Sequence, residues 1–180
     1  MNNILIAIDP GLAHTGIVAC TAKNILSPEY SETITTPATK GIDALHDRVA
    51  TIADLLVIEA GRIKDELNAK RTRCVVLTTL FVRGKANQNS NGLHKSMGVA
   101  VGVASALFNS YDVVRDQTII AELRWRGYDV PKDKKGEGKK VKTPFVRSLG
   151  WKDCPNGHVA DAWLAVLWMS QLFPHQLKEM

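Results

Sequence analysis

The chain has 180 residues, 45% of them hydrophobic, enough for one domain with a real core. No apolar stretch approaches the roughly 18 residues of a membrane span. The opening Met1-Asn2-Asn3, with Asp9 close behind, lacks the basic flank and unbroken apolar run of a secretory leader.

In chain order, residues 3–8 read as a strand buried on both faces. Asp9-Pro10-Gly11 is turn chemistry, and residues 15–21 form a second strand paired with the first through that turn. A weaker third strand lies within 25–34. Leu45, Val49, Ile52, Leu56, Ile63 and Leu67 then recur on one helical face, so the spacing predicts a helix over about 43–70, with Asp43 as its cap. A helix this long could pack on the sheet at one end and on a partner subunit at the other. Residues 73–81 are strand-like, 83–91 are a polar loop, and 92–108 are a helix rich in Gly and Ala. A short strand follows over 112–115 and a helix over 118–126.

Residues 132–142 hold six lysines against two acids, a local charge of 6 − 2 = +4. Such a run is either a phosphate-contacting loop or a solvated one. A short helix is expected around 145–149, and a last helix over 157–173 with Asn156 as N-cap. The three cysteines, Cys20, Cys74 and Cys154, have no paired spacing. They fit reduced thiols in a cytoplasmic protein and leave no clustered zinc ligands. The element order gives an α/β domain over 1–180: an antiparallel three-strand meander continued by strand-helix-strand crossovers, a mixed sheet flanked by helices.

Asp9 alone is an ordinary turn residue. His158 and Asp161 lie three apart at the start of the last helix and so share one face. The bland reading is a helix-start carboxylate favoured by the dipole, beside an exposed histidine. Two carboxylates and an imidazole are also the ingredients of a divalent-metal site, and hard oxygen donors suit Mg²⁺ or Mn²⁺. His14, His46 and His94 stand isolated and read as surface or packing residues. Trp125, Trp151, Trp163 and Trp168 read as core or interface.

The stretches "AIDPGLAHTGIVA" and "GHVADAWLAVL" together resemble the RuvC Holliday-junction resolvases, within the ribonuclease-H-like superfamily. "VVLTTLFVRGKANQNSNGLHKSMGVAVGVASAL" is similar to that family's central strand, loop and helix. "DVVRDQTIIAELRWRG" is similar to its next strand and helix. The resemblance covers nearly the whole chain in order. It implies a ribonuclease-H-like fold and Mg²⁺- or Mn²⁺-dependent hydrolysis of branched DNA, a four-way junction above all. It also implies a homodimer, with Asp9, Asp161 and His158 as metal-site and catalytic residues. Arg83, Lys85 and Lys95 around the central loop, and Lys134, Lys135, Lys139 and Lys140 before the short helix, would contact DNA.

The chain departs from the family at one point. The family carries a Glu at the end of the central strand, where this chain has Thr78 or Thr79. "LLVIEAGR", residues 55–62, offers Glu59 as a replacement only if 55–58 is a strand, and the helical periodicity favours a non-catalytic Glu59 there. Three other readings stay open. One is a branched-DNA-binding homologue that has lost cleavage with its Glu. Another is a nuclease acting on flaps, forks or RNA–DNA hybrids. The third is a sugar-kinase-like ATPase, which would need further glycine-rich phosphate loops.

Overall fold

The computed structural model describes residues 2–37, 42–78, 88–131 and 141–172, apart from the side chains of Ile42 and of residues 88–91. Among the described residues, five strands form one sheet: β1 (Asn2–Asp9), β2 (His14–Thr21), β3 (Tyr30–Thr35), β4 (Ala69–Thr78) and β5 (Ser110–Arg115). They lie in the order β3-β2-β1-β4-β5. The pairs β1–β2 and β2–β3 are antiparallel, and β1–β4 and β4–β5 are parallel. The helices of the described residues are α1 (Ile42–Glu66), α2 (Gln88–Leu107), α3 (Asp116–Trp125), α4 (Lys142–Ser148) and α5 (Gly157–Leu172). This is the mixed α/β sheet that the sequence predicts.

Strand alternation divides the core in two. Ile4, Ile6 and Ile8 of β1 pack with Ile52, Leu56, Ala60 and Ile63 of α1 and with Ala100 and Ala104 of α2. Leu5 and Ala7 point the other way, into Ile119 and Leu123 of α3, Val146 of α4 and most of α5. The first strand is therefore buried on both faces, as a strand at the centre of a two-sided sheet must be. α5 is apolar nearly all round, with eleven buried residues including the fully buried Trp163. The Trp163 indole donates to the Ile25 carbonyl at 2.9 Å. Trp151 and Trp168 are also buried. Trp125 is not part of the core: it is 83% exposed, with the Arg126 guanidinium 5.7 Å from its ring, which leaves the interface half of the expectation.

Several boundaries shift. α1 ends at Glu66 rather than near 70, because Asn68 takes a left-handed φ of 48°, a conformation that stops a helix. β4 begins immediately afterwards. Asp43 lies inside the first turn of α1, since the helix already includes Ile42. α2 begins four residues earlier than its small-residue pattern indicates. Leu55–Ile58 lies within α1, which rules out the strand that would have made Glu59 a central-strand carboxylate.

Candidate functional site

Asp9 is the last residue of β1, and its backbone is opposite Gly16 of β2. The turn between them is tied internally. The Thr15 hydroxyl donates to the Gly11 carbonyl at 2.9 Å, and Arg48 of α1 donates to the Leu12 carbonyl at 3.0 Å. These bonds fix where β1 stops, and so where its terminal carboxylate sits.

The start of α5 is held against the same sheet edge. Asn156 is the N-cap that the sequence predicts. Its side-chain oxygen accepts from the His158 and Val159 amides at 2.9 and 3.3 Å, while its amide nitrogen donates to Thr33 of β3 at 2.9 Å. Gly16 makes the close approach possible. A Cβ there would lie 2.5 Å from the His158 carbonyl oxygen and 3.0 Å from the Val159 nitrogen. Those are backbone atoms that cannot swing aside.

This packing brings His158 to Asp9, with Nδ1 3.7 Å from Oδ2. Both side chains are partly open to solvent, at 27% and 17% exposure. Asp161, one helical turn on, faces the same side. Its Oδ1 lies 2.6 Å from the Lys142 ammonium at the start of α4, and the Lys142 side chain is only 4% exposed.

A solvent-open cleft adjoins Asp9, lined by Asp9, Pro10, Leu77, Thr78, Leu93, Met97 and Asp116. It lies where the parallel strands β1, β4 and β5 all end, the usual place for a site in an open sheet. Thr78, one of the two positions where the resemblance leads to the expectation of a Glu, therefore lines the cleft together with Asp9.

The remaining predicted site residues fall as follows. Glu59 is not brought to this group. It lies on α1, across the sheet from α5, with its carboxylate accepting from the Tyr30 hydroxyl and from Arg62 at 3.1 Å. Burial and that carboxylate hold the Tyr30 hydroxyl well above the usual tyrosine range. Lys95 is exposed on α2, between the cleft residues Leu93 and Met97. Arg83, Lys85, Lys134, Lys135, Lys139, Lys140 and Thr79 lie outside the described residues.

Three residues escaped the sequence reading. His14 is not isolated: its ring lies 4.9 Å from that of His158, and its Nδ1 is 3.2 Å from the Thr35 hydroxyl. The signal was its position on the returning strand of the turn after Asp9. Lys142 read only as one lysine of a run, and Asp116 carried no signal beyond following a strand.

Asp9, Asp161 and His158 suit a hard divalent cation by donor type. Among the described residues, however, no group of three His, Cys, Asp or Glu side chains is gathered tightly enough to hold an ion. Asp161 is instead engaged by an ammonium.

The sheet order, the two helical layers and a carboxylate ending the first strand define a ribonuclease-H-like fold. Among solved structures, the chain is similar to RuvC of Thermus thermophilus in complex with a Holliday junction substrate. The TM-score is 0.63 at 18% identity, over 96% of this chain and 95% of that one. Another Thermus thermophilus RuvC structure gives a TM-score of 0.61 at 16% identity, over 96% of both chains. The yeast mitochondrial Holliday junction resolvase Ydc2 gives 0.56 at 10% identity, over 97% of this chain and 80% of that one. No family model and no curated protein matches the sequence. The chain thus has the RuvC fold, with sequence divergence that leaves its activity to be argued from the site.

Proposed function

We propose that this chain is a metal-dependent, structure-selective DNA endonuclease that hydrolyses phosphodiesters in branched DNA, four-way junctions foremost. The observation that carries the reading is the approach of His158 at the start of α5 to Asp9, within 3.7 Å, beside a strand-end cleft that Asp9 lines. The likeness in fold to RuvC over 96% of the chain supports it. Asp9, Asp161 and His158 are the residues that would hold Mg²⁺ or Mn²⁺, which supplies Lewis acidity and an activated water when bound. In the hydrolysis, the water oxygen bonds to phosphorus, one ester P–O bond breaks, and the leaving oxygen takes a proton. Asp9 and His158 orient the water and phosphate; the exposed Lys95 adds backbone contact by charge. The protein acts as a homodimer, because a two-fold axis matches two symmetric cuts.

The test is cleavage of a labelled four-way junction in Mg²⁺ and in Mn²⁺, with binding measured in parallel. The expected result is paired nicks by the wild type and none by Asp9→Asn or Asp161→Asn, with junction binding kept in both. Full activity in either variant would sink the site. Tight binding without nicks in either metal favours the second reading, a binding protein on this fold. Its motivating observation is Thr78 in the cleft, a neutral hydroxyl where the family places a carboxylate.

A further inference from the structure

The fold separates one tryptophan from the rest. Trp151, Trp163 and Trp168 are 7%, 0% and 6% exposed, whereas Trp125 is 83% exposed. The end of α3 that carries it is closed by a glycine stop. The Gly127 amide donates to the Arg124 carbonyl and the Tyr128 amide to the Leu123 carbonyl, both at 3.0 Å, with Gly127 at a φ of 92°. Arg124 Nε donates to the Val130 carbonyl at 2.9 Å and ties down the chain that follows. Ile119 and Leu123 anchor α3 in the core. Trp125 is thus a flat apolar surface held out from a fixed helix end.

Its surroundings are cationic. The exposed Arg126 places its guanidinium 5.7 Å from the ring centroid, within cation–π range. Residues 124–142 hold eight of the chain's 23 Lys and Arg and three of its 18 Asp and Glu. Fifteen of each remain elsewhere, so the net charge of +5 belongs to this stretch of sequence, at whose head Trp125 stands. A ring beside an arginine, in that charge context, complements a partner that is both anionic and flat-faced. An apolar protein face leaves the charge unused. A paired duplex offers phosphates but no open base face. An unpaired nucleotide offers both.

We infer that Trp125, with Arg126, is a stacking platform for an unpaired nucleobase, separate from the Asp9 cleft. α3 starts at Asp116, which lines that cleft. At 1.5 Å per residue, Trp125 stands about 14 Å further along the helix axis. A DNA strand covers that distance in about four steps of 3.4 Å. This rests on reading the chain as a branched-DNA protein, and it deepens that reading by naming where a base left unpaired at the branch is held.

The probes are a short oligothymidine single strand and a blunt-ended duplex of equal length, each titrated into the full chain. Binding is followed by anisotropy of the labelled strand and by tryptophan emission. Because the other three rings are buried, acrylamide quenching reports Trp125. Bound oligothymidine should quench that emission and shield it from acrylamide, and the duplex should do neither. Trp125→Ala should weaken oligothymidine binding at least about fivefold, the low end for one lost stack, with the salt slope unchanged. Trp125→Phe should restore most of it. Arg126→Gln should weaken binding and lower the salt slope by about 1.

Oligothymidine bound without change in Trp125 emission or accessibility would overturn the inference. So would wild-type affinity in Trp125→Ala, or equal shielding by the duplex. Shielding that grows with protein concentration in the absence of DNA would give the ring to a second copy of the chain instead. The two readings fail separately. Trp125-dependent binding of single strands with no nicking of any branched DNA removes the nuclease and leaves the platform. Nicking of a junction with no part played by Trp125 does the reverse. No binding of oligothymidine removes the platform, whatever the junction assay shows.

Discussion

Glu59 shows how a carboxylate can look catalytic in sequence and be structural in the fold. It is 6% exposed, accepts from Tyr30 and Arg62, and joins α1 to β3 on the face away from α5. Glu59→Gln keeps the shape and loses the charge. Junction cleavage should be unchanged, and denaturant unfolding should show a loss of about 1–3 kcal/mol, the scale of hydrogen bonds to a charged group. Lost cleavage in a stably folded Glu59→Gln protein would return that residue to the site.

The same contact sets a pH dependence. Burial first, then Glu59, raises the Tyr30 hydroxyl above its ordinary value of 10.0. Burial also pushes the Cys154 thiol up from 9.0 to about 11. A folded-state pKa above the unfolded one means the stability is fully present below the unfolded value and is lost as pH rises through the folded one. Urea midpoints should therefore hold up to about pH 9 and then fall. Tyr30→Phe should fall less steeply than the wild type above pH 10, and parallel slopes would remove Tyr30 as a cause. The approach of His158 to Asp9 was legible because each sits in a short local pattern. Lys142 and His14 were not, since their partners lie far along the chain and only packing brings them together.

At the scale of elements, the position of α5 controls the site. The helix was legible from its apolar density and its Asn156 cap. Its contact with β2 was not, because a glycine in a strand gives no sign of what lies against it. The Cβ of Gly16→Ala would meet the α5 backbone at 2.5 Å, so α5 or β2 must shift. Overpacking of this kind costs about 1–3 kcal/mol. The shift falls on His158 and hence on its 3.7 Å approach to Asp9. Thermal unfolding should show a lower Tm, and cleavage should fall by more than the lost folded fraction explains. Unchanged stability would mean the two elements can part at no cost. Asn156→Ala should cost about 0.5–2 kcal/mol as a lost cap. The end of α1 was misplaced for a different reason. Leu67 keeps the helical spacing, and it is the left-handed turn at Asn68 and the pairing of β4 with β1 that end the helix. Strand pairing between distant segments leaves no periodicity to read.

For the whole molecule, charge and apolar surface make separate predictions. With a formal charge of +5, DNA binding should depend steeply on salt. If 6 or more phosphates are contacted, affinity should fall by about 10³-fold or more between about 50 and about 200 mM salt. The proposed dimer would need an apolar contact, and α1 offers one. Val57 and Ile58 are adjacent and each 48% exposed on the long helix, while Ile52, Leu56, Ala60 and Ile63 face the core. Two apolar side chains directed away from the protein's own core, on a helix of 25 residues, suit a partner helix related by a two-fold axis. Val57→Glu with Ile58→Glu places like charges across such an axis without touching the core. Sedimentation should then move from dimer to monomer, and cleavage of a four-way junction from paired nicks to single ones. A double variant that stays dimeric and still cuts in pairs would take the interface away from α1.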